Sequence, residues 1–175
     1  MDDERYLSFE TERLLLRPTL PEDAPLILEM LNTPKWLEYI GDRHVHNLNE
    51  AEDYIQKRML PQLQRSGYSN YTLILKHTHT KIGICGLYDR EGLEGIDIGF
   101  ALLPQYEQQG FAYEATSRIL RAAFENFNIT AVQAITTHNN HASQRLLEKL
   151  GMQCIGTTRL PDDDEELLLY KLILK

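Results

Sequence analysis

Leu102–Thr116, LLPQYEQQGFAYEAT, joins the end of an alternating apolar run to the start of a run with helical spacing. Upstream, Ile96, Ile98, Phe100 and Leu102 fall on one face of GIDIGFALL and Asp97, Gly99 and Ala101 on the other, as a strand requires. Downstream, Ala115, Ile119, Ala122 and Ala123 share one helical face that Leu120, Phe124 and Phe127 widen. A strand ending at Leu103, a short loop and a helix opening at Gly110 leave several main-chain N–H groups pointing one way without intrahelical acceptors. The helix dipole adds roughly half a positive charge there. A glycine at the joint lets an anion approach without meeting a Cβ. No Gly-Lys-Ser/Thr sequence follows, so a nucleoside triphosphate loop is not indicated. A glycine that only opens a packed helix would leave the same letters.

Working outward, FETERLLLRPTL reads as a first strand closed by Pro18 and Pro21. PEDAPLILEMLN places Leu26, Ile27, Met30 and Leu31 at helical spacing, with Thr33-Pro34 as its stop. A second helical segment runs from about Asn49, and Pro61 should kink or divide it. YTLILK, KIGICGLYD and GIDIGFALL follow as an antiparallel meander with a turn at DREG. AVQAITT is a strand, and NNHASQRLLEKLG a short helix with an Asn cap, an inward set of Leu146, Leu147 and Leu150, and Gly151 at its end. MQCIGTTRL and EELLLYKLILK close the chain as strands. The order βααβββαβαββ predicts a mixed sheet flanked by helices, an α/β (α+β) fold in a single domain over residues 1–175.

Eighteen Lys and Arg against 26 Asp and Glu give a formal charge of -8, and no basic stripe stands out. Nucleic acid is therefore disfavoured as a partner and none is expected, while a cationic one suits the field. No apolar window approaches about 18 residues and MDDERYLSFE lacks the pattern of an export leader, so no membrane span or secretion is expected. Cys85 and Cys154, far apart in apolar runs, read as buried thiols of a reducing compartment, the cytoplasm. The pairs His44/His46 and His77/His79 have no Cys or acidic cluster at ligand spacing, so they read as turn or solvated histidines and no metal is expected. Asp162–Glu166, DDDEE, reads as a soluble hairpin loop, with attraction of a basic peptide or polyamine as its functional alternative.

YEQQGFAYEA resembles the pyrophosphate loop of the GNAT acetyltransferases, in which Arg or Gln is followed by two residues, Gly, one residue, and Gly or Ala. Gly110 and Ala112 fit that frame, while Glu107 stands for the usual Arg or Gln and Gln108 for a frequent additional glycine. TERLLLRP, IDIGFALLP and NHASQRLLEKLGM are similar to the opening strand, the pre-loop strand and the CoA-side helix of the RimJ/RimL-like branch. This resemblance, from Phe9 to Leu174, implies a mostly antiparallel sheet of about seven strands whose parallel pair, GFALL and AVQAITT, splays to admit acetyl-CoA as co-substrate.

By the same resemblance, main-chain groups of Ala101, Leu102 and Leu103 would face the pantetheine arm. Gln108, Gln109, Gly110, Phe111, Ala112 and Tyr113 would line the pyrophosphate, and Asn140 and Ser143 would orient CoA. Asp97, beside two small residues on its face, is a candidate to collect the amine proton, with a solvated aspartate as the alternative. His138 is a further candidate for proton transfer. Four residues after Ser143, where many GNAT enzymes carry a tyrosine acid, stands Leu147, so Ser143 becomes the candidate to help the thiolate leave. Glu114 complements a helix N-terminus but would repel a pyrophosphate that it faced. Trp36, Tyr39 and Tyr54 fall in the third of the chain expected to form the acceptor pocket. The implied reaction is acetyl transfer to a primary amine, either a small molecule or a basic peptide or protein N-terminus, by a monomer or homodimer. A non-catalytic acyl-CoA-binding module is the alternative, and a scaffold for a basic partner a third reading.

Overall fold

The computed structural model describes residues 4–173. The alternating runs form eight strands, β1 (Phe9–Glu10), β2 (Leu14–Pro18), β3 (Asn70–Leu75), β4 (Lys81–Tyr88), β5 (Ile96–Leu102), β6 (Ala131–Thr137), β7 (Gln153–Thr158) and β8 (Leu167–Ile173). The helices are α1 (Ala24–Leu31), α2 (Pro34–Tyr39), α3 (Leu48–Tyr54), α4 (Leu60–Ser66), α5 (Phe111–Asn126) and α6 (His141–Lys149). One sheet takes all strands in the order β1-β2-β3-β4-β5-β6-β8-β7. Neighbours are antiparallel except β5 and β6, which run parallel. A parallel neighbour demands a long crossover, and α5 is that crossover.

Local chemistry accounts for the differences from the sequence reading. The first run folds back on itself as two strands, because Thr11 N donates to Leu14 O at 2.9 Å and Leu14 N to Thr11 Oγ1 at 3.0 Å. Hence the sheet has eight strands where about seven were expected. Thr33-Pro34 ends α1 and also starts α2: Trp36 N donates to Thr33 Oγ1 at 3.3 Å, and Pro34 sits where an N–H would lack a partner anyway. The second helical segment is capped by Asn47 rather than Asn49, with Glu50 N donating to Asn47 Oδ1 at 2.9 Å. Pro61 divides it as expected, since Ile55–Met59 winds as a π-helical turn between α3 and α4.

Each face of the sheet carries a core. On one side α5 presents Ala115, Ile119, Ala122 and Ala123, all fully buried, to Leu73, Leu87 and Ile98. On the other, Ile27, Met30 and Ile55 of the N-terminal helices cover Ile84 and Leu103. Each fully buried Leu or Ile contributes about 1.5–3 kcal/mol. The N-terminal layer is also pinned by charge: fully buried Asp23 accepts both arms of Arg17 at 2.7 and 2.9 Å, Lys81 Nζ at 2.7 Å and Thr72 Oγ1 at 2.9 Å. Of the two cysteines only Cys85 is buried. Cys154 is exposed because β7 is the outermost strand and most of its residues face solvent.

Candidate active site

The parallel ladder between β5 and β6 has two rungs, Ile96 against Val132 and Asp97 against Gln133. Both strands continue beyond it and part. Leu103 N donates to Ile82 O at 2.8 Å, which fixes the alternation of β5 against β4: odd-numbered residues turn their main-chain groups to β4 and even-numbered ones turn away. Phe100 and Leu102 therefore offer their N–H and C=O to the opening. Ala101 contributes its side chain to the wall instead. Leu103 is withdrawn altogether, its N–H used by Ile82 and its side chain in the second core.

The opening widens into a cavity of about 1320 Å³ that runs from the start of α5 to the N-terminal helices. At the α5 end Gly110 is the N-cap at φ +83° and Gln108 also takes a left-handed conformation at φ +60°. No side chain caps α5, so its first N–H groups have no side-chain acceptor. Gln108, Phe111, Ala112 and Tyr113 line the cavity there. Gln109 faces away: its carbonyl accepts Arg13 Nη1 at 2.9 Å and its amide donates to Gln105 O at 3.0 Å.

Arg13 holds this loop from behind. Its Nε donates to Glu114 Oε2 at 2.7 Å, its main-chain N to Glu114 Oε1 at 2.8 Å, and its guanidinium covers the Phe111 ring at 4.1 Å. Thr11 Oγ1 completes the grip on Glu114 at 2.6 Å. Burial by itself raises the Glu114 carboxyl, but these hydrogen bonds and the Arg13 charge hold it below the usual range. Glu114 thus spends its charge on the β1–β2 turn and not on the cavity. Glu107 does line the cavity, and Lys35 of α2 reaches across to it, Nζ to Oε2 at 2.5 Å.

At the two-rung end Asp97 is buried at 1% exposure and lines the cavity. Arg90 donates from Nε to Oδ1 and from Nη2 to Oδ2, both at 3.2 Å. Burial pushes the Asp97 carboxyl up, and the Arg90 charge opposes that only in part. Tyr88 lies across Gly99, where a Cβ would come within 2.9 Å of its ring, and across Gly86, where a Cβ would meet its hydroxyl at 2.6 Å. Its hydroxyl bonds Asn70 Oδ1. Two glycines thus make room for a tyrosine laid flat over the sheet, an aromatic wall that the sequence reading did not find. The paired glycines at matching register were the available signal, since Gly86 lies opposite Gly99.

On the β6 side Asn140 caps α6, accepting Ser143 N at 3.2 Å, and both residues line the cavity with Leu146 and Leu147. Leu147 is buried, so no acid occupies the tyrosine position. His138 is not brought to the cavity: it is exposed and its Nε2 lies 3.1 Å from Glu166 Oε1. Trp36, Tyr39 and Tyr54 all line the cavity at its N-terminal helices. Asp42, His44 and His46 bring their ligand atoms within 4.8 Å of one another, all exposed, so the first histidine pair has an acidic neighbour that spacing did not reveal. Among the described residues no helix is long and apolar enough to cross a membrane.

A main-chain wedge, an uncapped helix start with no Cβ at its cap and a long cavity fit an extended cofactor with a thioester at one end and a pyrophosphate at the other. Residues 13–153 match the acetyltransferase (GNAT) domain model. The chain is 31% identical over 152 residues to an uncharacterized N-acetyltransferase, p20, of Bacillus licheniformis, covering 85% of this chain and 84% of the relative. In fold it is similar to RimL, a ribosomal-protein α-N-acetyltransferase solved in complex with coenzyme A, with TM-score 0.82 and 16% identity over 96% of this chain and 98% of that one. It is also similar to a ribosomal-protein alanine acetyltransferase from Vibrio fischeri, with TM-score 0.79 and 20% identity over 95% and 96% of the two chains. The splayed strands, the loop ahead of α5 and the matched sequence agree, and the chain belongs to the GNAT family of acetyl-CoA-dependent N-acetyltransferases.

Proposed function

We propose that the protein transfers the acetyl group of acetyl-CoA to a primary amine by direct attack, with both reactants held in the one cavity. The observation that carries this reading is the two-rung ladder: β5 and β6 part immediately beyond a buried carboxylate, so main-chain donors and a proton acceptor share one opening. Phe100 and Leu102 offer N–H groups toward a thioester oxygen as negative charge develops on it, without reorganisation at the moment of reaction. Asp97, its affinity for protons raised by burial, takes the amine proton directly or through water. The loop ahead of α5 and the helix's first residues, from Gln108 to Tyr113 with Gln109 excepted, hold the pyrophosphate. Asn140 orients the cofactor through the α6 cap, and Ser143 assists the departing thiolate. Orientation in one cavity supplies much of the acceleration.

The acceptor is a protein N-terminal α-amine or a small-molecule amine. Likeness of fold to RimL puts the protein amine first in a panel and decides nothing further. The test is thiol release from acetyl-CoA across N-terminal peptides, polyamines and aminoglycosides. Release that depends on an added amine is expected. A CoA thermal shift without turnover on any amine would replace this reading with a non-catalytic acyl-CoA-binding module.

A further inference from the structure

We propose that Lys35 is a ligand of the cofactor pyrophosphate, passed from Glu107 to the phosphates when acetyl-CoA binds. The inference rests on the acetyl-CoA reading above. Between Leu102 and Thr116 the chain has no lysine or arginine, and it does have Glu107. Main-chain donors alone would then meet a dianion with a carboxylate beside it. Lys35 arrives from α2, 72 residues away in sequence, and sets its ammonium 2.5 Å from that carboxylate. Both side chains line the cavity, and the Lys35 side chain is 57% exposed.

Two other cations near the loop are already engaged. Arg13 lies behind it, fixed to Glu114 and to the Gln109 carbonyl. Lys149 sits over the Tyr113 ring at 4.1 Å. Lys35 differs in that it pairs with a single charge of the loop itself and is held by a flexible stem on an open wall. An exposed ion pair of that kind is held weakly. A pyrophosphate at the α5 start offers twice the charge within the same reach, so the exchange gives the dianion a cation that offsets the repulsion from Glu107.

The experiment is calorimetric titration with CoA, and with pantetheine as a probe that lacks the pyrophosphate, on the full chain and on Lys35→Met, Glu107→Gln and the double variant. Lys35→Met is expected to weaken CoA about ten-fold and to leave pantetheine unchanged. Glu107→Gln is expected to tighten CoA about three-fold. The double variant should bind CoA about ten-fold more weakly than Glu107→Gln alone. Equal affinities of the double variant and Glu107→Gln would overturn the proposal, since Lys35 would then only shield Glu107. Equal losses for CoA and pantetheine would also overturn it. Absence of CoA binding by the unaltered chain would instead remove the acetyl-CoA reading beneath it.

Discussion

Arg90 grips both carboxylate oxygens of Asp97 across the β4–β5 turn, and both residues line the cavity. Burial raises the Asp97 pKa and Arg90 pulls it partway back, so the ionised carboxylate on which the proposed base role depends is lost as pH falls through a value above the usual range. Asp97→Asn should lower kcat by about 10²-fold or more, with little change in KM for acetyl-CoA. Arg90→Met should move the acid limb of kcat/KM to higher pH, because the opposing charge is gone. An Asp97→Asn enzyme with normal kcat and an unmoved acid limb would assign the proton to water alone.

Gly110 holds φ +83°, a conformation that costs other residues about 1–2 kcal/mol, and a Cβ there would stand 3.3 Å from Arg13 Nη2. Gly110→Ala is therefore expected to destabilise the protein by about that amount and to raise KM for acetyl-CoA several-fold. Arg13→Met should raise the same KM by freeing Glu114 to face the pyrophosphate. Urea unfolding together with initial rates separates the two effects. Unchanged KM in both variants would show that the loop keeps its shape without its support.

Ser143 stands where its hydroxyl is a weak acid and its N–H is already taken by Asn140. A departing thiolate has a pKa of about 8.5 and needs little help near neutrality. Ser143→Ala should slow kcat by less than about ten-fold, and the deficit should shrink as pH rises toward that value. Complete inactivity of a folded Ser143→Ala protein would mean that no other group or water serves.

Asp23 is fully buried among Arg17, Lys81 and Thr72. Burial favours its neutral form, but the hydrogen bonds from Arg17 and Lys81 outweigh that and lower its pKa. The folded state then binds this proton less readily than the unfolded chain. The stabilisation is present above the unfolded carboxyl pKa of about 3.9 and is lost as pH falls through the lower folded value. Asp23→Ala removes the carboxylate shared by buried Arg17 and half-buried Lys81 and should cost about 3–5 kcal/mol in urea unfolding at neutral pH. The difference from wild type should narrow below the unfolded pKa, and a constant difference down to strongly acidic pH would contradict the assignment.

Periodicity made the sheet and α5 legible, because the apolar sets at strand and helix spacing are the buried sets. The face that joins Asp97, Gly99 and Ala101 was legible for the same reason. The tight turn at Thr11, the second role of Pro34 and the exposure of Cys154 depend on single hydrogen bonds and on strand order, which periodicity does not encode. The same limit explains His138. Its place after β6 suggested the cavity, while its side chain is drawn to Glu166 of the loop before β8. Arg90 escaped notice because its importance comes from Asp97, which a turn brings to it, and Lys35 because its partner is 72 residues away.

The two rungs between β5 and β6 also divide the molecule mechanically. Strands β1 to β5 form one continuous ladder and β6 to β8 another, tied by those rungs and by α5. A ligand lying between Leu102 and Thr137 would act as the missing strand and convert two half-sheets into one. Amide exchange along the parted edges of β5 and β6 should then slow sharply on saturation with CoA, while the β2–β3–β4 ladder, complete from the outset, keeps its protection unchanged.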